Sequence, residues 1–392
     1  MTYAGTNKGG TAAILAAESL VRHHATAPTA AEDEAAIDEV LARFPEAIDR
    51  LMGESALIDQ RTAAAAFLQA AGDLPEAVHL LRAHRSTLAR LATSLPVDPD
   101  EMELLRRIVP AHRSPDGPQL LGRTVDYTAR LLTRPGQTDP LPPTDDLLAA
   151  ATAPARHPDE PPRRYSTWLA EQGLLADRSA ERAADPEPFD LALNPVRLPA
   201  PRSAILSAMA LADTGGLVAQ WYRNILGPDG YADESVTLGE VRHGRVAVQV
   251  THPHTGEPVT IGSIEVSECE AIAHLDARGE DSAKFDVGYA MAVGHNERKA
   301  IAGSILDLAA HRHGTTAEGR ELQQIIMLTT DGLAANGFLE HLKLPHYVTF
   351  RSMVDRAVAN AQEQAAEAPA AGPQDPTEAP AAGPQDIEDS HP

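Results

Sequence analysis

The chain has 392 residues, 33 of them basic and 56 acidic, for a formal net charge of −23. That balance excludes a general nucleic-acid binder or a protein held on anionic membranes by charge, because both depend on basic surface. The single cysteine, Cys269, excludes an intrachain disulfide, a CxxC zinc knuckle and an iron–sulfur cluster built by this chain alone, as suits the cytoplasm.

The length allows about two domains with ample core. Met1 to Ile14 shows no basic region followed by an apolar run, and no stretch reaches the roughly 18 apolar residues of a membrane span. From Thr11 to about Ser94 the apolar spacing is helical and predicts a bundle. Gly72-Asp73-Leu74-Pro75 is a break and restart, with Pro75 suited to a first turn and Glu76 to a helix N-terminus. In the helix that follows, Ala77, Leu80, Leu81, Leu88 and Leu91 fall on one side, and His79, Arg82, Arg85, Ser86 and Arg90 on the other. The basic side is either a solvated face or an anion-binding one.

Arg106-Arg107 precedes a loop from Gly117 to Arg130, predicted to run into a short helix. Its glycines allow close approach of backbone N–H groups to an anion, which Arg123 or Arg130 could clamp. Stretches rich in proline at 135–162 and 185–202 read as linker or insertion, with a helix from Tyr165 to Leu175 between them. After Arg202 the pattern turns to strands. Val236–Arg242 and Arg245–Val250 read as a hairpin about His243-Gly244, Val259–Val266 as a third strand with Cys269 following it, and Phe285–Val293 as another.

Gly294-His295-Asn296 then leads into a helix with Asn296 as its N-cap. Arg298 and Lys299 in the first turn make this either a phosphate site or an ordinary strand-to-helix turn. The apolar run Ile325–Leu328 leads to Asp331 and to a corner bearing His341 and His346. Pro345 stands between the two histidines, so His341 should close a helix and His346 open the next segment. Such a corner supplies half of a transition-metal site, or else a helix-capping histidine followed by one packed on Tyr347. Met353 to Ala366 predicts a last helix. Beyond it, Glu-Ala-Pro-Ala-Ala-Gly-Pro-Gln-Asp occurs at 367–375 and again at 378–386, a repeat too poor in apolar bulk to order itself. The expected fold is α+β: a helical domain over 1–134, a proline-rich insertion with one helix over 135–202, a mixed domain with antiparallel strands over 203–366, and a disordered tail over 367–392.

Several blocks match a known family in order. Lys8-Gly9-Gly10, Ala71-Gly72-Asp73, Leu80-Leu81-Arg82-Ala83, Gln119-Leu120-Leu121-Gly122, Asp126-Tyr127-Thr128, Glu297-Arg298-Lys299-Ala300 and His341-Leu342-Lys343-Leu344-Pro345-His346-Tyr347-Val348 resemble the PhnI family, the I subunits of the carbon–phosphorus lyase core complex. The likeness runs from about residue 8 to residue 350 and weakens between about Pro135 and Pro201.

The resemblance implies a subunit that works with the G, H and L proteins to exchange the adenine of MgATP for an alkylphosphonate at ribose C1. Alone it implies a purine nucleosidase acting on ATP or GTP, with water as nucleophile. The carbon–phosphorus bond itself is left to the J subunit, and the two family histidines, at the positions of His341 and His346, are expected to bind Zn²⁺ at the contact with J. Cleavage of an N-glycosidic bond builds positive charge on the sugar, for which Asp126 and Glu240 are the candidate carboxylates. A triphosphate with Mg²⁺ needs cationic clamps, for which Arg82, Arg85, Arg130, Arg298 and Lys299, with the helix start at Asn296, are candidates. The competing expectation is a platform whose partners carry the chemistry.

Overall fold

The computed structural model describes residues 11–24, 30–128, 130–132, 162–177, 187–226, 236–274, 284–343 and 353–367. It divides into two compact units, one of Met1–Thr26 with Glu340–Pro392, the other of Ala27–Leu339.

The larger unit begins with the predicted bundle, α2 (Ala30–Arg43), α3 (Pro45–Ser55), α4 (Gln60–Gln69) and α5 (Leu74–Arg85). Ile48, Leu51, Ala63, Ala64, Ala77 and Leu81 fill its centre, the alanines letting the helix axes approach closely. The restart at Asp73 is a cap: its carboxylate accepts from Glu76 N at 3.3 Å, and Pro75 lies in the first turn. The helix stops sooner than its periodicity suggests. The hydroxyls of Ser86 and Thr87 bond back to the carbonyls of Ala83 and His84, and Leu88 and Leu91, expected on the buried side, are 51% and 94% exposed.

The sheet has four strands in the order β1 (Glu103–Ile108), β2 (Val236–Thr251), β3 (Pro258–His274) and β4 (Phe285–Val293), all antiparallel. The expected hairpin at His243-Gly244 does not occur, for β2 runs straight through it. Gly244 serves a close approach instead, since a Cβ there would stand 2.2 Å from the Glu103 carbonyl on β1. The turn is at residues 252–257, closed by His252 N on Glu257 O at 2.9 Å with Gly256 at φ +76°. Cys269 lies inside β3 rather than after it, and burial pushes its thiol up to about 12.

Over one sheet face lies α9 (Glu297–His313), packed on β3 and β4. Gly288 permits this contact, because a Cβ there would meet Ser304 O at 2.0 Å. Behind it α7 (Arg202–Leu211), α8 (Thr214–Leu226) and α10 (Ala317–Thr329) share a core of Ile205, Met209, Leu217, Leu306, Leu322 and Ile326. Thus two helices fill 202–226, ahead of the predicted strands, and Ile325–Leu328 belongs to a helix. The opposite face carries α6 (Tyr165–Glu171). The loop after β1 forms no helix in its described residues; Leu120 and Arg107 exchange backbone bonds of 2.8 Å, so it adds a bridge to the edge strand.

The chain leaves this unit along α11 (Gly332–Lys343). In the smaller unit, α1 (Thr11–His24) exposes Leu15, Leu20 and Val21, and α12 (Met353–Glu367), the predicted last helix, exposes Met353, Val354 and Val358. Residues 368–392, with most of the repeat, lie outside the described residues. No described helix is long and apolar enough to cross a membrane.

Candidate active site

The β4-to-α9 turn positions the first group of polar residues. Gly294, at φ +72°, brings its backbone against Asp49 of α3, whose carboxylate accepts from His295 N at 2.8 Å. Asn296 caps α9 by accepting from Lys299 N at 3.2 Å, and its Nδ2 donates to Thr214 Oγ1 at 2.9 Å. Glu297 already places a carboxylate in the first turn and receives Arg106 Nε at 2.6 Å. Arg298 is exposed. Lys299 turns inward, 2% exposed, with no hydrogen-bond partner for its buried Nζ among the described residues, and burial lowers its amine to about 8.

The charges around Lys299 belong to a cavity of about 220 Å³ lined by Arg50, Glu54, Leu74, Pro75, Val78, Arg82, Asp213, Asp331, Leu333 and Asn336. Arg50 donates to Glu54 at 2.8 Å and to Asp213 at 2.9 Å; Glu54 also accepts from Thr214 N at 3.0 Å, which fixes the start of α8. Arg82 donates to Asp331 at 2.7 Å and to the Glu54 carbonyl at 2.7 and 3.0 Å, while Arg85 donates to the Ser55 carbonyl at 2.7 Å. The basic side of α5 therefore caps the C-terminus of α3, meeting carbonyls that a helix end leaves unpaired. Asp213 and Asp331 each also hold a helix start, accepting from Gly216 N at 2.6 Å and Leu333 N at 3.1 Å.

A separate ionic cluster lies on the α6 side of the sheet. Arg107 is fully buried and donates to Glu240 at 2.7 Å, and Glu240, 2% exposed, also accepts from Tyr165 N at 2.8 Å. Glu268 and Glu270 join it, held by Arg164 at 3.0 and 3.1 Å, with Tyr289 Oη on Glu268 at 2.7 Å. Successive strand residues face opposite ways, so neighbouring Arg106 points to α9 instead and holds Asp126 at 2.6 Å. The bond from Thr124, then Arg106, lowers the Asp126 carboxyl below its ordinary value.

Apart from the exposed Arg298, the candidate residues fall into four places. Arg82 lines the cavity, Lys299 lies behind its charged wall, Arg85 stands beside it, and Asn296 is joined to it through Thr214 and Glu54. Asp126 pairs with Arg106 and, at 3.7 Å, with Arg130 at the edge of the sheet. Glu240 lies on the other sheet face, so the two candidate carboxylates are not brought together. His341 falls in the last turn of α11 and His346 lies outside the described residues. Among the described residues no group of three His, Cys, Asp or Glu is placed to hold a metal, so they do not by themselves make a zinc site. Arg50, Glu54 and Asp213 were not singled out by sequence. The available signals were the i,i+4 Arg50–Glu54 pair and the capping string Asp213-Thr214-Gly215-Gly216.

Fold and site together define a mixed α+β protein with a carboxylate-lined, arginine-buttressed cavity between a helical bundle and sheet-backed helices. Residues 4–364 match the family model described as bacterial phosphonate metabolism protein (PhnI). A putative C-P lyase subunit protein, HtxH, of Stutzerimonas stutzeri is 36% identical over 92% of this chain and 96% of its own length. Alpha-D-ribose 1-methylphosphonate 5-triphosphate synthase subunits PhnI are similar too. That of Rhizobium meliloti is 34% identical over 94% of this chain and 97% of its own, and that of Escherichia coli 35% over 91% and 98%. The chain belongs to the PhnI family.

Proposed function

We propose that this chain is a subunit of the carbon–phosphorus lyase system that, with G, H and L type partners, transfers the ribose triphosphate of MgATP to an alkylphosphonate and releases adenine. Alone it acts as a nucleosidase on ATP or GTP. Family membership over residues 4–364 and the synthase names of two relatives support the reading. The observation that carries it at the level of chemistry is the cavity, where Glu54, Asp213 and Asp331 stand together: a group of carboxylates suits the positive charge that develops at C1 as the base departs. Incubation of the purified chain with MgATP should release adenine and ribose 5-triphosphate. Phosphate or ADP as the main product would make it an ATPase and overturn the proposal; so would the absence of base release with the partner subunits present.

The exposed apolar side chains of α1 and α12 favour a second role, as the platform on which partners assemble. In that role His341 and His346 bind Zn²⁺ through imidazole nitrogens at the contact with a J type subunit. Elemental analysis of the co-purified complex should find zinc in the parent and not in the doubly substituted His341→Ala, His346→Ala protein. Equal zinc in both would remove the assignment.

A further inference from the structure

The cavity wall carries three carboxylates against two guanidinium groups, and the guanidinium groups already have partners. Arg50 is taken by Glu54 and Asp213, Arg82 by Asp331 and by the carbonyls of Glu54 and Leu211. A polyphosphate entering here would displace carboxylates and then lie against them, at a high electrostatic cost in a part-buried site. Leu74, Pro75, Val78 and Leu333 add an apolar side that a phosphate cannot use but a flat heterocycle can.

Lys299 lies behind this wall, outside the cavity lining. Its Nζ is buried and unpartnered, 3.9 Å from where a Cβ on Gly53 of α3 would stand. The charges that act on it are Glu54, Asp213, Arg50 and Arg82, all four on the cavity wall. A buried donor without an acceptor is costly, and the carboxylates of Glu54 and Asp213 offset part of that cost.

We infer that the cavity is a glycosyl subsite, taking the uncharged sugar-and-base part of a purine nucleotide while the polyphosphate stays outside. The inference rests on the nucleotide reaction proposed above and places its reacting carbon. The C1–N bond breaks there, its electron pair leaving with the base, and a C1–O bond forms to water or to a phosphonate oxygen. The base takes up one proton, which the water or the phosphonate monoanion gives up. The carboxylates face the charge that develops on the sugar, and binding energy from phosphates held elsewhere acts at C1.

The test is calorimetric titration of the full chain with formycin A, an adenosine isomer whose base is joined through carbon and is not cleaved, and with tripolyphosphate. Asp213→Asn keeps the side chain's shape and its cap on Gly216, and should weaken formycin A about tenfold, the loss of one charge-assisted contact. Asn336→Trp, at a half-buried helix position, should fill the cavity and abolish formycin A binding without disturbing the Asp213 cap. Tripolyphosphate affinity should stay within about twofold in both variants. No formycin A binding by the parent chain, or equal affinity in parent and variants, overturns the inference. Tripolyphosphate that competes with formycin A and binds more tightly to the Asp213→Asn chain overturns it also, and identifies a phosphate pocket. The two readings fail separately: formycin A bound through Asp213 with no adenine release from MgATP, even with partners, removes the reaction and keeps the subsite. Adenine release at the parent rate from Asn336→Trp removes the subsite and keeps the reaction.

Discussion

Glu240→Gln is the change that separates a structural from a catalytic role for this residue. Glu240 bridges the guanidinium of fully buried Arg107 and the N–H of Tyr165 at 2.7 and 2.8 Å. Glutamine keeps the shape but removes the charge, and its NH₂ must face one of those two donors. Breaking one side of a buried ion pair costs about 3–5 kcal/mol, because the remaining charge is left uncompensated. With an unfolding entropy of about 2.1 cal/mol/K per residue, the unit spanning Ala27–Leu339 loses about 1.5 °C per kcal/mol, so calorimetry should find a melting temperature lower by about 5–8 °C. Adding Arg107→Met should recover part of that loss, since the orphaned charge is gone, though the carbonyls of Asp116, Pro118 and Arg163 lose their donor. Base release, measured well below the transition, should be retained. A melting temperature within about 1 °C of the parent, together with lost base release, would refute the structural reasoning and make Glu240 a catalytic group.

Two titrations follow from burial. Lys299 has its amine lowered from 10.5 to about 8, so between these values the unfolded chain binds more protons than the folded one and stability rises with pH. Lys299→Met should therefore raise stability at neutral pH by up to about 3 kcal/mol, an advantage that disappears above about pH 10.5; denaturant titrations at pH 7 and 10.5 check this, and equal differences at both would contradict it. His243 is buried against His295, its ring centroid 4.5 Å away, and burial first and then His295 lower it from 6.5 to about 4. Its charging opposes folding as pH falls from 6.5 to 4, so His243→Gln should flatten the acid limb of a stability–pH curve over that window, and an unchanged limb would place the acid sensitivity elsewhere.

Local grammar carried much of the fold. Asp73 with Pro75, Asn296 ahead of α9 and the helical spacing of α12 were legible because each acts within one turn of chain. The hairpin at His243-Gly244 was misplaced for a reason that no local pattern holds: Gly244 lacks a side chain because β1 passes over it, a contact made by Glu103, distant in sequence. The helices at 202–226 were missed between a proline-rich stretch and the first evident strand; their apolar residues bury against α9 and α10.

The site was legible only by halves. Arg82 and Lys299 stood out as cations beside helix ends, but the groups Arg82 meets, the Glu54 carbonyl and the Asp331 carboxylate, lie far away in the sequence, and spacing is silent on such pairs. Asp126 and Glu240 were chosen as carboxylates for the charge on the sugar; each is held by an arginine instead, with the sheet between them. What no pattern could show is the mismatch at Lys299. A buried amine without an acceptor lowers stability, and a methionine of similar length would fill the same space without that cost. The groups whose charges act on that amine, Arg50, Glu54, Arg82 and Asp213, come from α3, α5 and the start of α8, so only the assembled fold sets their sum against the cost of burying it.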